Sequence, residues 1–511
     1  MIPEPIREYS RAEQVTREDL ILFLNACFVC TGQREFYSDA DAQRVSIEFL
    51  HAYILGNYRL LYARTLAAGV NDFNQAEIVL NLLATGRDTP FEHRAEENSL
   101  ITATLQMLPP QRAWRLLEQI RQRRINNRRS RSLVRRFVAG REEIAFDAVK
   151  YRSKVRAAAA HAHLPLGKTT SARTAELGRF LFRPNRSEGT PIFSTALFES
   201  VRQAHYRAEA VYELPYTVAE GFAAKHGIPR DVFLKRIASQ MTDGEKLRLQ
   251  ATAERAQSAV PALDPMRLSL TRLALYVLSL PREKREAFSD ALRQSARATL
   301  SRTGGQTVLP ALGRVAAVLD NSYSSSGSTE KRQRPLGVAL AVHLLLQEAA
   351  GQGHYRAFWT LPPRPAVMGG GEPGKPLSIE ARGQTDLATP LLDALEWGAE
   401  TILIVSDGFE NDPPQGAGEV LRVFRTCLDP RRRTTIIHLN PVFNPEELVP
   451  RALSPHVPTI GLRGAEDLAT AVGFARFADG AMPLEGLESH LAAQRDRFLE
   501  RVKGTGWNPS H

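Results

Sequence analysis

Three short stretches carry side chains able to do chemistry together. "VLDNSYS" supplies Asp320, Ser322 and Ser324, "GQTDL" supplies Thr385, and "IVSDG" supplies Asp407. Asp320 and Asp407 each close an apolar run, "RVAAVL" and "TILIVS", of the kind that forms a buried strand, and Thr385 stands just before a helical pattern. In an open α/β sheet, ligands gather at the carboxyl ends of the strands, so these residues are expected to converge. Two carboxylates and three hydroxyls make an oxygen-only donor set, which suits a hard cation. Mg²⁺, or another divalent ion of that character, takes about six ligands and commonly keeps several waters. A shell filled only in part by the protein has room for a carboxylate or phosphate from a partner.

Other chemistries fit these residues less well. A serine nucleophile on an elbow needs G-x-S-x-G, which does not occur in the chain. An aspartyl-phosphate enzyme would want a second carboxylate two residues after Asp320, where Ser322 stands. "HLPLGKTT" has the end of a phosphate-binding loop, but Ala162 occupies the place of its first glycine. A plain serine-rich loop would account for Ser325, Ser326 and Ser328 and leave both strand-end aspartates unexplained. The expectation is a cation site in a protein that is not an enzyme.

The densest charge lies elsewhere, between Arg121 and Arg156, where thirteen Lys and Arg face three acids, enough to account for the whole net charge of +10. Arginine suits phosphate because its planar fork donates to two oxygens and stacks on bases. Candidate RNA contacts are Arg124, Arg128, Arg129, Arg131, Arg135, Arg136, Lys150, Arg152 and Lys154. Tyr151, His161 and His163 add groups that stack on or hydrogen-bond unpaired bases. The same run also reads as a solvated helix face or as a docking site for an acidic protein.

Two kinds of element must position these groups. Residues 17–305 show apolar positions at i, i+3 and i+4 spacing, broken by short Gly, Pro, Asn or Asp punctuation, which predicts about ten modest helices stacked as a HEAT-like α-helical repeat. Residues 306–485 alternate short apolar runs with helical patterns, which predicts an α/β doubly wound parallel sheet of Rossmann-like form. A tail over 1–16 and a C-terminal helix and tail over 486–511 complete the chain. Cys27, Cys30 and Cys427 are too few for a disulfide framework, and the C-x-x-C of the first two reads as buried small residues on a helix. The polar start and the lack of a long apolar run point to a cytoplasmic protein with no membrane partner.

Asp320-x-Ser322-x-Ser324, Thr385 and Asp407, in that order and at strand ends, resemble the metal-ion-dependent adhesion site of von Willebrand factor A domains. The resemblance implies that Ser322 and Ser324 hold the metal directly, that Thr385 does so in some states, and that Asp320 and Asp407 act directly or through water. A helical domain followed by such an A domain resembles the Ro autoantigen family, whose helical part is the TROVE module. "VKYRSKVRAAAAHAHLPLG" is similar to that family's "KYR…H" segment through Lys150, Tyr151 and Arg152, with His161 or His163 as the histidine; the Gly-Trp-(Ser/Thr)-His part is missing and the spacing is shorter. The resemblance implies binding of small noncoding or misfolded RNA in RNA quality control or scaffolding, with an acidic residue of a protein partner able to reach the metal. The alternative is an A-domain interaction adaptor that partners an ATPase or another protein complex.

Overall fold

Five apolar runs form the strands of one parallel sheet: β1 Val315–Leu319, β2 Tyr355–Trp359, β3 Thr401–Val405, β4 Thr435–Asn440 and β5 Thr459–Gly461. Their order is β2-β1-β3-β4-β5, and every neighbouring pair is parallel. The computed structural model that gives this arrangement describes residues 10–166, 172–182, 192–256, 264–303, 312–350, 353–361, 376–479 and 482–503. The ends of both expected tails, 1–9 and 504–511, and the Lys168-Thr169-Thr170 part of the loop-like motif lie outside these residues.

β1 and β3 are buried at every position, as strands covered on both faces must be. Side chains alternate across the sheet. Ala316, Val318, Ile402, Ile404 and Ile436 pack with Leu387, which precedes the helix Ala388–Glu396, with Leu391 of that helix and with Leu421 of Gly416–Val423. Residues of the other parity, among them Ala317, Leu319, Leu403 and Val405, are equally buried. The helices Arg334–Ala349 and Leu468–Ala478 also pack on the strands. The chain leaves β1 for β2 on one side and returns to β3 on the other, so the order reverses between β1 and β3. That reversal opens a crevice beyond the carboxyl ends of these two strands.

The rest of the described chain is helical, and it falls into two compact units. One comprises Met1–Gln75 with Pro265–Arg497, and the other Ala76–Asp264 with Phe498–His511. A break at 305/306 does not coincide with this division. The reason is packing: the helices Leu270–Ser279 and Ser289–Thr303 lie against Arg334–Ala349, and Arg285, buried, donates to the carbonyls of Leu278, Leu280, Leu377 and Ile379. The chain also becomes helical earlier than 17. Ser10 caps the helix Arg11–Val29 through a capping box with Glu13, satisfying free N–H groups of the first turn.

That first helix closes an edge of the sheet. Asn25 Nδ2 donates to the Thr459 carbonyl at 3.0 Å, and the Gly461 amide donates to Asn25 Oδ1 at 3.2 Å, so one side-chain amide stands in for a neighbouring strand along β5. A β-carbon at Gly461 would lie 2.7 Å from the Asn25 carbonyl oxygen, which explains glycine there. Cys27 and Cys30, at the end of this helix, are free and fully buried, and burial pushes both thiols up. No helix among the described residues is long and apolar enough to cross a membrane.

The second unit is a succession of short helices, among them Arg94–Met107, Pro110–Gln122, Arg128–Ala139 and Arg152–His161. Pro110–Gln122 and Arg128–Ala139 have strongly segregated faces, with Trp114, Leu117, Leu133 and Phe137 buried. Trp114 and Phe137 meet edge to face at 5.3 Å.

Candidate functional site

β1 delivers Asp320 to the crevice, and its amide donates to the Val405 carbonyl at 3.0 Å, fixing the carboxylate beside the end of β3. The chain then folds back on itself. The Ser322 amide donates to Asp320 Oδ1 at 2.8 Å, the Ser325 hydroxyl donates to the Ser322 carbonyl at 2.7 Å, and a 3₁₀ turn Tyr323–Ser326 follows. This turn brings the Ser322 and Ser324 hydroxyls within 3.2 Å of each other, and the Ser324 hydroxyl also bonds the Asp407 carboxylate. Asn321, fully buried, faces the other way and ties the loop to Thr360, Leu361 and Glu380. The serines after Ser324 play structural parts: Ser328 donates to the Arg34 carbonyl at 2.7 Å.

β3 delivers Asp407. Gly408 turns the chain with φ +80°, and a β-carbon there would lie 2.7 Å from the Arg451 carbonyl oxygen. Phe409 donates its amide to Asp407 Oδ1 at 3.1 Å. Below, Ser406 meets His438 Nε2 at 3.0 Å, and burial holds that imidazole down to about 4. Thr385 joins through the next part of the loop: its amide donates to Asn411 Oδ1 at 2.8 Å, and its carbonyl accepts from Asn411 and Asp412. Glu410 accepts amides from Leu387 and Ala417, capping two helices at once.

Asp320, Ser322, Ser324 and Asp407 are therefore linked by direct contacts, Thr385 through the backbone of the loop it shares, and all five are buried. Burial, then the neighbouring Asp407, pushes the Asp320 carboxyl up to about 7. Asp407 is also raised by burial, though the Ser324 hydroxyl, the Phe409 amide and Arg451 pull it back. Two carboxylates facing each other in a dry crevice repel, and a divalent cation between them would reverse that. No group of three or more His, Cys, Asp or Glu placed to hold a metal occurs among the described residues. Three of the five donor side chains here are hydroxyls, which fits a hard cation retaining some water rather than a nitrogen- or thiolate-bound one.

Sequence reasoning missed what surrounds this centre. Tyr37, from the segment between the helices Arg11–Val29 and Ala40–Asn57, bonds Ser324 through its hydroxyl and packs its ring against Phe409, 4.1 Å between centroids and tilted by 37°. The segment is held by an ion pair between Glu35 and Lys331, both side chains only 3% exposed. The Arg451 guanidinium lies 4.3 Å over the Phe409 ring. Phe409 and Arg451 separate two cavities, one of about 200 Å³ reaching Glu35, Tyr37 and Glu446, the other of about 610 Å³ reaching Gln415, Arg422 and His456. Tyr37 had no sequence signal; the "GFEN" after Asp407 was visible as a polar loop.

The basic candidates divide sharply. Lys150 pairs with Glu245 at 3.0 Å, Arg152 donates to the Phe180 carbonyl and lies 4.5 Å over its ring, and Arg135 donates to the Ala162 carbonyl at 2.9 Å. Tyr151 is half-buried between two helices, and Lys154 lies 3.9 Å from Glu118. The "KYR" residues are thus committed to internal contacts. Arg131 lies near His161, whose imidazole burial pushes down, and His163 is exposed with φ +50°. Arg124 is exposed at the end of Pro110–Gln122. Arg128, Arg129 and Arg136 share one face of Arg128–Ala139 and line a single cavity. Compared with known proteins, the chain matches no family model and no curated protein.

Proposed function

We propose that the chain is a Ro-like RNA-binding protein, acting by binding rather than catalysis, with a cation centre of the von Willebrand factor A type. The observation that carries the RNA part is the concentration of arginine in Arg121–Arg156, where Arg124, Arg128 and Arg136 remain exposed after the internal contacts are made. Guanidinium groups so placed bind phosphate without regard to sequence, and release of counterions makes such binding steeply salt-dependent. The HEAT-like stacking expected of the helices would give that face its breadth. Protein purified from native cells should carry RNA, seen as a raised ratio of absorbance at nucleic-acid and protein wavelengths, and should shift RNA in a salt-sensitive way. Protein free of nucleic acid and without such a shift would sink the RNA reading.

In the cation centre, Ser322 and Ser324 would hold Mg²⁺ through their hydroxyls, with Asp320, Asp407 and Thr385 completing the protein's share. Bound there, the ion would supply a positive charge to a carboxylate offered from outside. Asn321 and the Asx turn at Asp320 keep the loop in shape, and Asn411 keeps Thr385 on the loop that follows Asp407. A second reading, an adaptor that docks an acidic protein segment beside an ATPase or other complex, is favoured by Tyr37, Phe409 and Arg451 and the two cavities they separate. A pair of packed aromatic rings with an arginine beside a cation would be well suited to gripping a peptide.

A further inference from the structure

In the helical unit, five arginines from three segments surround one concavity of about 480 Å³. Arg87 comes from the turn after Asp72–Ala84, Arg94 opens the helix Arg94–Met107, and Arg128, Arg129 and Arg136 lie along one face of Arg128–Ala139. No carboxylate lines the cavity; its floor is Leu83, Ile101 and Leu133. The nearest acid, Glu97, is buried and pairs with Arg129 at 2.9 Å, while Asn98 accepts from the same guanidinium. The remaining terminal nitrogen of Arg129, Nη2, is buried and has no hydrogen-bond partner, which leaves a costly unsatisfied cationic donor. The side chains of Arg87, Arg128 and Arg136 make no ion pair or hydrogen bond with the described residues.

The placement also runs against the helix itself. The first turn of Arg128–Ala139 holds no acid, and Arg128 and Arg129 occupy it. A helix N-terminus carries partial positive charge and favours anions, so arginines there cost stability until an anion arrives. Arg94 opens its own helix, whose first turn does hold acids, Glu96 and Glu97. An anion in the cavity would relieve the mutual repulsion of the arginines, their conflict with the dipole of Arg128–Ala139 and the orphaned nitrogen together.

We propose that this cavity binds a compact chain of linked phosphates, such as the 5′-triphosphate end of an RNA or a free nucleoside triphosphate. Its volume lies within the range of small-molecule sites, about 300–1,000 Å³. Positive charge converging on one hollow suits several phosphates held close together, whereas a strand backbone spreads its charge along a groove. No aromatic side chain lines the cavity, so it offers a base no stacking platform. Recognition is of the phosphates, and Arg128 and Arg136 are its principal donors. The RNA source rests on the RNA reading above; the free nucleotide does not.

The test measures binding of the full chain to four probes: a 5′-triphosphate RNA, the same RNA with a 5′-hydroxyl, ATP and inorganic tripolyphosphate. Each is repeated with Arg128→Gln/Arg136→Gln and with Arg124→Gln/Arg131→Gln, and thermal melts check that both variants fold. The 5′-triphosphate RNA should bind about tenfold or more tighter than its hydroxyl counterpart, the scale of one or two charge-assisted contacts. The first variant should lose that preference and the second should keep it. ATP and tripolyphosphate binding, lost in the first variant, with neither RNA bound, would uphold the site and end the RNA reading. Equal binding of the two RNAs, with no tripolyphosphate binding, would overturn the site and leave the RNA reading standing. Binding of none of the four would overturn both.

Discussion

The crevice beyond β1 and β3 and the arginine cavity of the helical unit concentrate charge by opposite means. The first buries two carboxylates, Asp320 and Asp407, each 3% exposed, and surrounds them with hydroxyls and backbone amides. The second leaves Arg87, Arg94, Arg128 and Arg136 exposed around a hollow and buries mainly Arg129, which has Glu97 beneath it. Burial lets a carboxyl answer repulsion by taking up a proton, so Asp320 rises to about 7. Arginine has no such escape, because its guanidinium stays charged at any pH a protein survives. A buried acidic pair therefore responds to pH and, on the function proposed above, would respond to a cation; an exposed arginine cluster would respond to salt.

The sharpest way to break this contrast is to disturb the scaffold that keeps the crevice dry. Lys331→Met strands Glu35 as a buried charge behind Tyr37, and loss of one partner from a buried pair should cost about 3–5 kcal/mol in denaturant melts. Glu35→Gln with Lys331→Met should recover most of it. If the single variant melts like the parent, the segment carrying Tyr37 is not anchored by that pair.

A smaller effect sharpens the comparison through pH. In the metal-free protein, the raised Asp320 carboxyl binds a proton that the unfolded chain has already released, so its contribution to stability falls as pH rises from the ordinary carboxylate range of 3.8 to about 7. The buried His438 and His343, both held down to about 4, act in the other direction and lose stability as pH falls from 6.5. Mg²⁺ removes only the Asp320 trend. The gain in melting temperature from Mg²⁺ should be several degrees near about pH 8 and close to zero near about pH 5. Asp320→Ala should abolish it, and a gain independent of pH would contradict the account. The arginines themselves add no such window; a pH dependence of phosphate binding there would come from the ligand, whose terminal phosphate takes up a proton near about 6.

The smallest effect concerns Tyr37. Tyr37→Phe keeps the ring contact with Phe409 and loses only the bond to Ser324, so Mg²⁺ affinity measured by calorimetry should change by no more than about 1 kcal/mol. A larger change would make the tyrosine hydroxyl part of the cation's own shell.

How much of this was legible in the sequence follows from how local each cause is. Asp320 and Asp407 could be placed because an apolar run ending in a polar residue fixes a strand and its carboxyl end together. The start of the first helix was equally legible, as the Ser10-x-x-Glu13 capping box, yet it reads as tail when only apolar spacing is followed. Tyr37 was not legible, since nothing in "REFYSD" says that it meets a strand end hundreds of residues later. Arg87 and Arg94 were missed because they stand alone in sequence and join the others only through the packing of the helices. Lys150 and Arg152 show the reverse: density of charge along a chain does not tell which cations already meet Glu245 or a carbonyl. The 305/306 break and the compact units differ because a change of pattern marks a change of element type, while a compact unit is decided by which faces pack.

The side-chain amide of Asn25 against β5 has a consequence for assembly. β5 is three residues long and lies at the sheet's rim, where unpaired backbone groups would otherwise invite a strand from another molecule. A fragment that begins at residue 306 would lose the helix that occupies those groups and should associate with itself through that rim. The first helix thus serves as a guard against self-pairing, and loss of its Asn25 amide would be read as oligomers.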